Sequence, residues 1–319
     1  MSSHSSRASA IRHLGGSGEP MVLLHGFALC ADSWKPILPD LVGRHSVHAG
    51  TYHGHFGGAP LPRNFRPSIA ASVDLAATEM DIAGIQRAHL VGNSLGGWLA
   101  LELARRGRAL SVVAFSPGGG WESGSPEEQH LHAIFKRKRQ LLRIGGRFAP
   151  LVATSKRARR LGLREIVAYP DRLSHEHATM LIKAPGNCAA YDGVLRAMPY
   201  EPVPLPMDPL PCPVRIVWGA KDELLPMRGY SERWRRLLPG AEWLELDDAG
   251  HVPMYDDPAS CARAVLEFTR AHPRQRDSVG PTRGARAVNG SASAMVSSRR
   301  EPTLTSTTGQ PESRSMRST

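Results

Sequence analysis

Long apolar runs are missing from this 319-residue chain. No stretch approaches the roughly 18 apolar residues that a membrane-spanning helix needs. The best candidate, MVLLHGFALCA, is short and is interrupted by His25-Gly26. The opening MSSHSSRASA lacks the apolar centre of a secretory leader, so a cytoplasmic location is expected. Cysteine is scarce as well. Cys30, Cys188, Cys212 and Cys261 are scattered and form no C-x-x-C pair. They suit neither a disulfide framework nor a zinc site and read as free thiols. His45, His48, His53 and His55 crowd one stretch, but no H-E-x-x-H or H-x-x-E-H spacing occurs, and no metal is expected. No internal repeat is evident.

Charge is abundant but uneven. The net charge is +11. Residues 273–319 hold eight arginines against three acids, and residues 119–200 hold fourteen lysines and arginines against seven acids. The rest of the chain is close to neutral. Basicity confined to two segments weakens a nucleic-acid-binding reading. Within the second segment, KRKR (136–139) and KRARR (156–160) could form a nucleic-acid or anionic-lipid patch. The preferred reading is a solvated helix face, with steering of anionic substrates as a functional middle ground. The tail 273–319 is rich in Ser, Thr, Gly, Pro and Arg and poor in large apolar residues. It cannot bury enough surface to offset its ordering entropy, so it is expected to be disordered, like residues 1–7.

Elsewhere short apolar runs alternate with helical patterns. Strands are expected at 21–26, 45–52, 88–93, 109–117, 213–219 and 241–248. Helices are expected at 33–43, with Ser33 as cap and Gly43 as stop, and at 68–84, 97–107, 228–240 and 257–272. Such alternation argues for a mostly parallel, doubly wound α/β sheet. It breaks between 119 and 200, where a basic, helix-prone segment reads as an inserted cap, and 199–213 is a proline-rich return crossing. The expected division is a core of 8–118 and 201–272 around a helical cap of 119–200.

The chemistry is concentrated in LVGNSLGG (90–97). A strand runs into a helix at Ser94, and small residues flank the turn at Gly92 and Gly96. A serine on so sharp a turn has a strained backbone, and bulky neighbours would clash. The turn would aim the Leu95 N–H and the helix N-terminus at a developing oxyanion. Serine needs a base and an orienting acid to act as a nucleophile. In such sheets these groups sit beyond the carboxyl ends of strands. VWGAKDELLP offers Asp222 and LELDDAGHVPMYDDP offers His251, in the order Ser, Asp, His. Asp192 and Asp208 are weaker candidates for the acid. Asp247 and Asp248 read as strand-end residues. LLHGF supplies a second oxyanion donor, the Phe27 N–H, with Gly26 making the turn and His25 hydrogen-bonding backbone to shape the loop. Trp98 and Trp218 are expected in the core, and Trp121 and Phe135 near the cap or an acyl pocket.

VLLHGF, LVGNSLGGWLALELA, PVRIVWGAKDELLP and AGHVPMYDDP together resemble the α/β-hydrolase fold superfamily, in its cap-bearing branch. The resemblance covers about residues 20–118 and 210–272. It implies a catalytic triad of Ser94, Asp222 and His251, an oxyanion hole at Phe27 and Leu95, and no cofactor. It implies carboxylic ester hydrolysis of a small-molecule substrate through an acyl-enzyme. An epoxide hydrolase or dehalogenase of this family would carry aspartate at the elbow. Asn93 before the serine is similar to carbon–carbon hydrolases of ring-cleavage products, although their oxyanion loop is usually longer. A non-catalytic binding homologue is the remaining reading. The loop GTYHGHFGGAPLP departs from the family pattern, with no aspartate and with His53 where proline is usual, and the N-terminal strands look short. Neither substrate identity nor oligomeric state follows from the sequence.

Overall fold

The computed structural model describes residues 9–200, without the Tyr200 side chain, together with 207 and 209–274. Residues 1–7, the tail from 275, Asp208 and most of the proline-rich crossing lie outside the described residues. Seven strands form one sheet: β1 (Ile11–Gly15), β2 (Pro20–Leu24), β3 (Ser46–Gly50), β4 (Ala88–Asn93), β5 (Ala109–Phe115), β6 (Val214–Gly219) and β7 (Glu242–Leu246). Their order is β1-β3-β2-β4-β5-β6-β7. β1 runs antiparallel to β3, and every other pairing is parallel.

Alternating side chains explain the two layers of core. Met21, Leu23, Val91, Val113, Phe115 and Val217 point to one face. Val22, Leu24, Leu90, Val112, Ala114, Ile216 and Trp218 point to the other. Both faces are covered, so β4 and β5 are buried along their whole length and read as continuous apolar runs. Cys261, Val265 and Phe268 of the helix Pro258–Ala271 seal the first face. Val73 and Met80 of Ile69–Ile82, with Leu99 and Leu103 of Leu95–Arg105, seal the second. Each such side chain contributes about 1.5–3 kcal/mol by leaving water.

Helix starts follow local chemistry. Ser68 accepts from the Ala71 N–H at 3.0 Å, and Asp257 from the Ser260 N–H at 2.9 Å. These bonds satisfy amides that have no partner within the helix. Between β5 and β6 the chain leaves the sheet as a helical insertion. Its helices include Pro126–Arg147, Lys156–Leu163, His175–Gly186 and Tyr191–Ala197.

Three local expectations are corrected. The segment 33–43 is not one helix: it is a 3-10 turn, Ala31–Trp34, followed by Leu38–Val42. Ser33 is buried and donates to the Cys30 carbonyl at 2.7 Å, so it caps nothing. The helix expected at 228–240 is shorter: Arg228 with ψ 125° and Gly229 with φ 92° leave the helical region, and the regular helix is Glu232–Leu237. The antiparallel edge strand β1 has no counterpart among the expected strands. Its middle residues are exposed, so it shows little apolar pattern.

Candidate active site

β4 ends at Asn93, and the helix Leu95–Arg105 begins two residues later. Ser94 between them takes φ 54° and ψ −118°, a region that L-residues rarely occupy. Such strain persists only where the surroundings enforce it. Here the surroundings are backbone. A Cβ on Gly92 would strike the Gly96 carbonyl, and one on Gly96 would strike the Leu24 carbonyl oxygen. The Ser94 carbonyl accepts from the Trp98 and Gly118 N–H groups at 3.1 and 3.0 Å, which holds the turn from two sides.

Asp222 follows β6. Its Oδ1 accepts from the Leu224 and Leu225 N–H groups at 3.0 and 2.7 Å. Its Oδ2 lies 2.8 Å from His251 Nδ1. Both residues are buried. The carboxylate can only accept there, so Nδ1 carries the proton and Nε2 is left as an acceptor. Asn93 Nδ2 donates to the His251 carbonyl at 2.9 Å and to the Phe115 carbonyl at 3.2 Å. The loop bearing His251 is thereby tied to β4 and β5. Asp256 ties the same loop to the insertion: its carboxylate accepts from the Gly250, Ala168 and Tyr169 N–H groups at 2.9, 2.9 and 3.0 Å. Burial raises the Asp256 pKa, and these three bonds oppose the rise.

The loop after β2 faces Ser94 from the other side. The Phe27 N–H has no acceptor among the described residues. Leu95 is the first residue of its helix, so its N–H has no partner in that helix. His25 is fully buried, and its Nε2 accepts from the Tyr52 N–H at 3.1 Å. The Nδ1–H therefore donates to the Gly26 carbonyl at 2.8 Å. Burial, and secondarily the nearby His55, holds the His25 pKa well below the ordinary histidine value, so the ring is neutral.

Two cavities meet at Ser94. One, of about 800 Å³ including its mouth, is walled by Leu95, Trp98, Trp121, Leu131 and Met198. The other, of about 1140 Å³, holds His251 and Asn93 and runs under Leu141, Leu161, Leu181 and Ile182 of the insertion. Phe27 and Phe135 line both, with their rings edge to face at 5.4 Å. The walls are mainly apolar, as small-molecule sites usually are.

Among the described residues, the other acids, cysteines and histidines singled out in the sequence lie elsewhere. Asp192 pairs with Arg139 on the insertion, and Asp248 with Lys221 and the Tyr169 hydroxyl. Burial pushes the thiols of Cys30, Cys188 and Cys212 up to about 11 and holds that of Cys261 well above the ordinary thiol value, so none is an activated nucleophile. The four crowded histidines disperse. His45 bonds Thr269, His48 bonds Ser46, His53 lies beside Glu79, and His55 packs against His25. Among the described residues no group of three or more His, Cys, Asp or Glu is arranged to hold a metal. No helix there is long and apolar enough to cross a membrane. Sequence reasoning did not single out Asp256. Its signal is slight: an acid five residues after a candidate base.

Comparison with known proteins agrees with this layout. An epoxide hydrolase of Mycobacterium tuberculosis is 31% identical over 202 residues, covering 63% of this chain and 94% of its own. A putative carbamate hydrolase of Pseudomonas savastanoi is 29% identical over 261 residues, covering 79% and 93%. A meta-cleavage product hydrolase from Pseudomonas fluorescens superposes with a TM-score of 0.66 at 23% identity, covering 83% of this chain and 96% of that one. A thermophilic esterase from Thermogutta terrifontis superposes at 0.62 with 23% identity, covering 82% and 93%. At such identities the two structures speak for the fold alone. The alpha/beta hydrolase family profile matches residues 21–264, from β2 through the loop of His251 into the last helix. With that match spanning most of the sheet and its site-bearing loops, the chain belongs to the α/β hydrolase family.

Proposed function

We propose that the protein is a serine hydrolase that cleaves a carboxylic ester of small or medium size through an acyl-enzyme on Ser94. The carrying observation is the buried 2.8 Å bond from His251 Nδ1–H to Asp222, in a cavity that His251 shares with Ser94. That bond leaves His251 Nε2 free to take the Ser94 proton. The Ser94 oxygen then bonds the substrate carbonyl carbon, and Asp222 stabilises the imidazolium. The Phe27 and Leu95 N–H groups receive the oxyanion; losing one such donor typically costs about 2.7–4 kcal/mol of transition-state stabilisation. As the tetrahedral adduct collapses, His251 returns its proton to the departing alcohol. Water, deprotonated by His251, then attacks the acyl carbon; as this adduct collapses the bond to the Ser94 oxygen breaks, His251 returns the proton to that oxygen, and the acid is freed. The helical insertion acts as a cap that encloses the reacting carbonyl.

The relative named an epoxide hydrolase poses a chemical test. A serine that opened an epoxide would end in an ether, and water has no carbonyl there to attack. A carboxylate nucleophile would instead form a cleavable ester. Ser94 at the elbow therefore favours acyl chemistry, of esters or of carbamates. Carbon–carbon hydrolysis would use the same residues, and Asn93 keeps it in the screen.

Labelling with a fluorophosphonate probe tests this reading. Wild type should label, and Ser94→Ala and His251→Ala should not. Folded wild type that fails to label would overturn it and leave a ligand-binding homologue. If labelling succeeds, paired ester, carbamate and carbon–carbon substrates would rank the reactions.

A further inference from the structure

The insertion carries an apolar surface that the catalytic reading does not use. Among the described residues, five of the eight exposed large apolar side chains fall between positions 141 and 161: Leu141, Ile144, Phe148, Leu151 and Leu161. They are 57% to 78% exposed. Leu141, Ile144 and Phe148 recur at helical spacing along the end of Pro126–Arg147, so they share one face. Concentrated apolar exposure of this kind marks an interaction surface.

Its position is informative. Leu141 and Leu161 line the cavity that contains Ser94 and His251. Two residues of the patch therefore border the cavity of the candidate active site. Exposed basic residues accompany the patch in the same segment. Lys136, Arg137, Arg143, Arg147, Lys156 and Arg157 are exposed, and none has a carboxylate within ion-pairing distance among the described residues. The other basic residues nearby are committed. Lys138 pairs with Glu165 at 2.5 Å, Arg139 with Asp192 at 2.7 Å, and Arg160 with Asp171. The KRKR run is thus split: Lys138 and Arg139 brace the insertion, while Lys136 and Arg137 face solvent.

We infer that this face of the insertion docks on an anionic lipid bilayer and takes ester substrate from it through the Leu141–Leu161 mouth. Apolar side chains among unpaired lysines and arginines suit a bilayer, whose surface is negative and whose interior is apolar. A nucleic acid would reward the cations and leave Ile144, Phe148 and Leu151 in water. The protein would lie on the membrane, since no described helix could span it. Docking rests on the surface alone, while the substrate claim rests on the serine hydrolase reading above.

The full-length chain is tested by flotation with vesicles of phosphatidylcholine alone and with phosphatidylglycerol mixed in. Wild type should bind the anionic vesicles at least about tenfold more tightly, and salt should weaken that binding. A variant carrying Ile144→Ser, Phe148→Ser and Leu151→Ser should lose most of the binding. None of the three lines the cavity, so fluorophosphonate labelling in solution should be unchanged. Should that variant fold poorly, Arg143→Gln with Arg147→Gln tests the charged half and should lower binding roughly tenfold or more. The basic tail is common to all these proteins and cancels in the comparison. Absence of vesicle binding by labelling-competent wild type would sink the docking claim and spare the hydrolase. Binding indifferent to both variants would do the same, as would a dimer in size-exclusion chromatography that the triple variant dissolves, or RNA binding in its place. Failure to label would remove the substrate claim alone.

Discussion

Single residues at the elbow have little freedom. Gly96→Ala would drive a methyl group into the Leu24 carbonyl oxygen, which is fixed backbone and cannot move aside as a side chain could. We expect a loss of at least about 3 kcal/mol, read from the urea midpoint at unchanged slope. His55 makes a different prediction. Burial lowers its pKa from 6.5 to about 4, against the opposing bond to the His53 carbonyl. Below pH 6.5 the unfolded chain takes up a proton that the folded site refuses. Stability is therefore full above pH 6.5 and falls as the pH drops towards 4, by up to about 3 kcal/mol from this one group. His25 shifts in the same direction. A series of thermal melts from pH 7 to pH 4.5 checks the slope, and His55→Gln should flatten it. At this scale Ser94, Asp222 and His251 are legible in sequence because each follows a recognisable strand. Asp256 is not, because its three amide partners come from two segments about eighty residues apart.

Elements decide what those residues can do. The loop of His251 is held on one side by Asn93 and on the other by Asp256. Asp256→Ala would leave three backbone N–H groups without their acceptor, at a cost of about 2–4 kcal/mol if water reaches them only in part. We expect a lower melting temperature together with a fall in kcat, because the loop of His251 loses two of its bonds to the insertion, those to the Ala168 and Tyr169 N–H groups. A fall in stability with kcat unchanged would show that Asn93 and Asp222 position His251 without Asp256. The insertion itself was visible only as a break in the strand–helix alternation. Its packing was not. The helices Pro126–Arg147 and His175–Gly186 meet where Gly146 faces Gly186, so closely that a Cβ on Gly146 would sit 2.8 Å from the Gly186 Cα. Nothing local pairs those two glycines, which lie forty positions apart.

Among the described residues, the last helix, Pro258–Ala271, seals the first face of the sheet with Phe268. The family match ends inside that helix. A chain truncated after Arg274 should therefore melt within a few degrees of the full-length protein and label equally with fluorophosphonate. A large loss of either would mean that the tail contributes to the core or the site. The chain's +11 charge has no uniform expression on the surface. In the insertion some cations brace helices and others stay exposed without a carboxylate partner among the described residues, and composition does not separate the two.

By itself the sequence determined the strand–helix alternation, the turn at Ser94 and the placing of Asp222 and His251 just after strands. Those features depend on residues adjacent in the chain: apolar period, small residues at a tight turn, a polar residue after a strand. Tertiary structure alone decided the antiparallel edge strand, the late start of the helix Glu232–Leu237, the anchoring of the His251 loop and the exposure of five apolar side chains on the insertion, two of which line the cavity of Ser94 and His251. Each of these depends on which distant segments meet, and on whether a side chain finds a partner or water when they do.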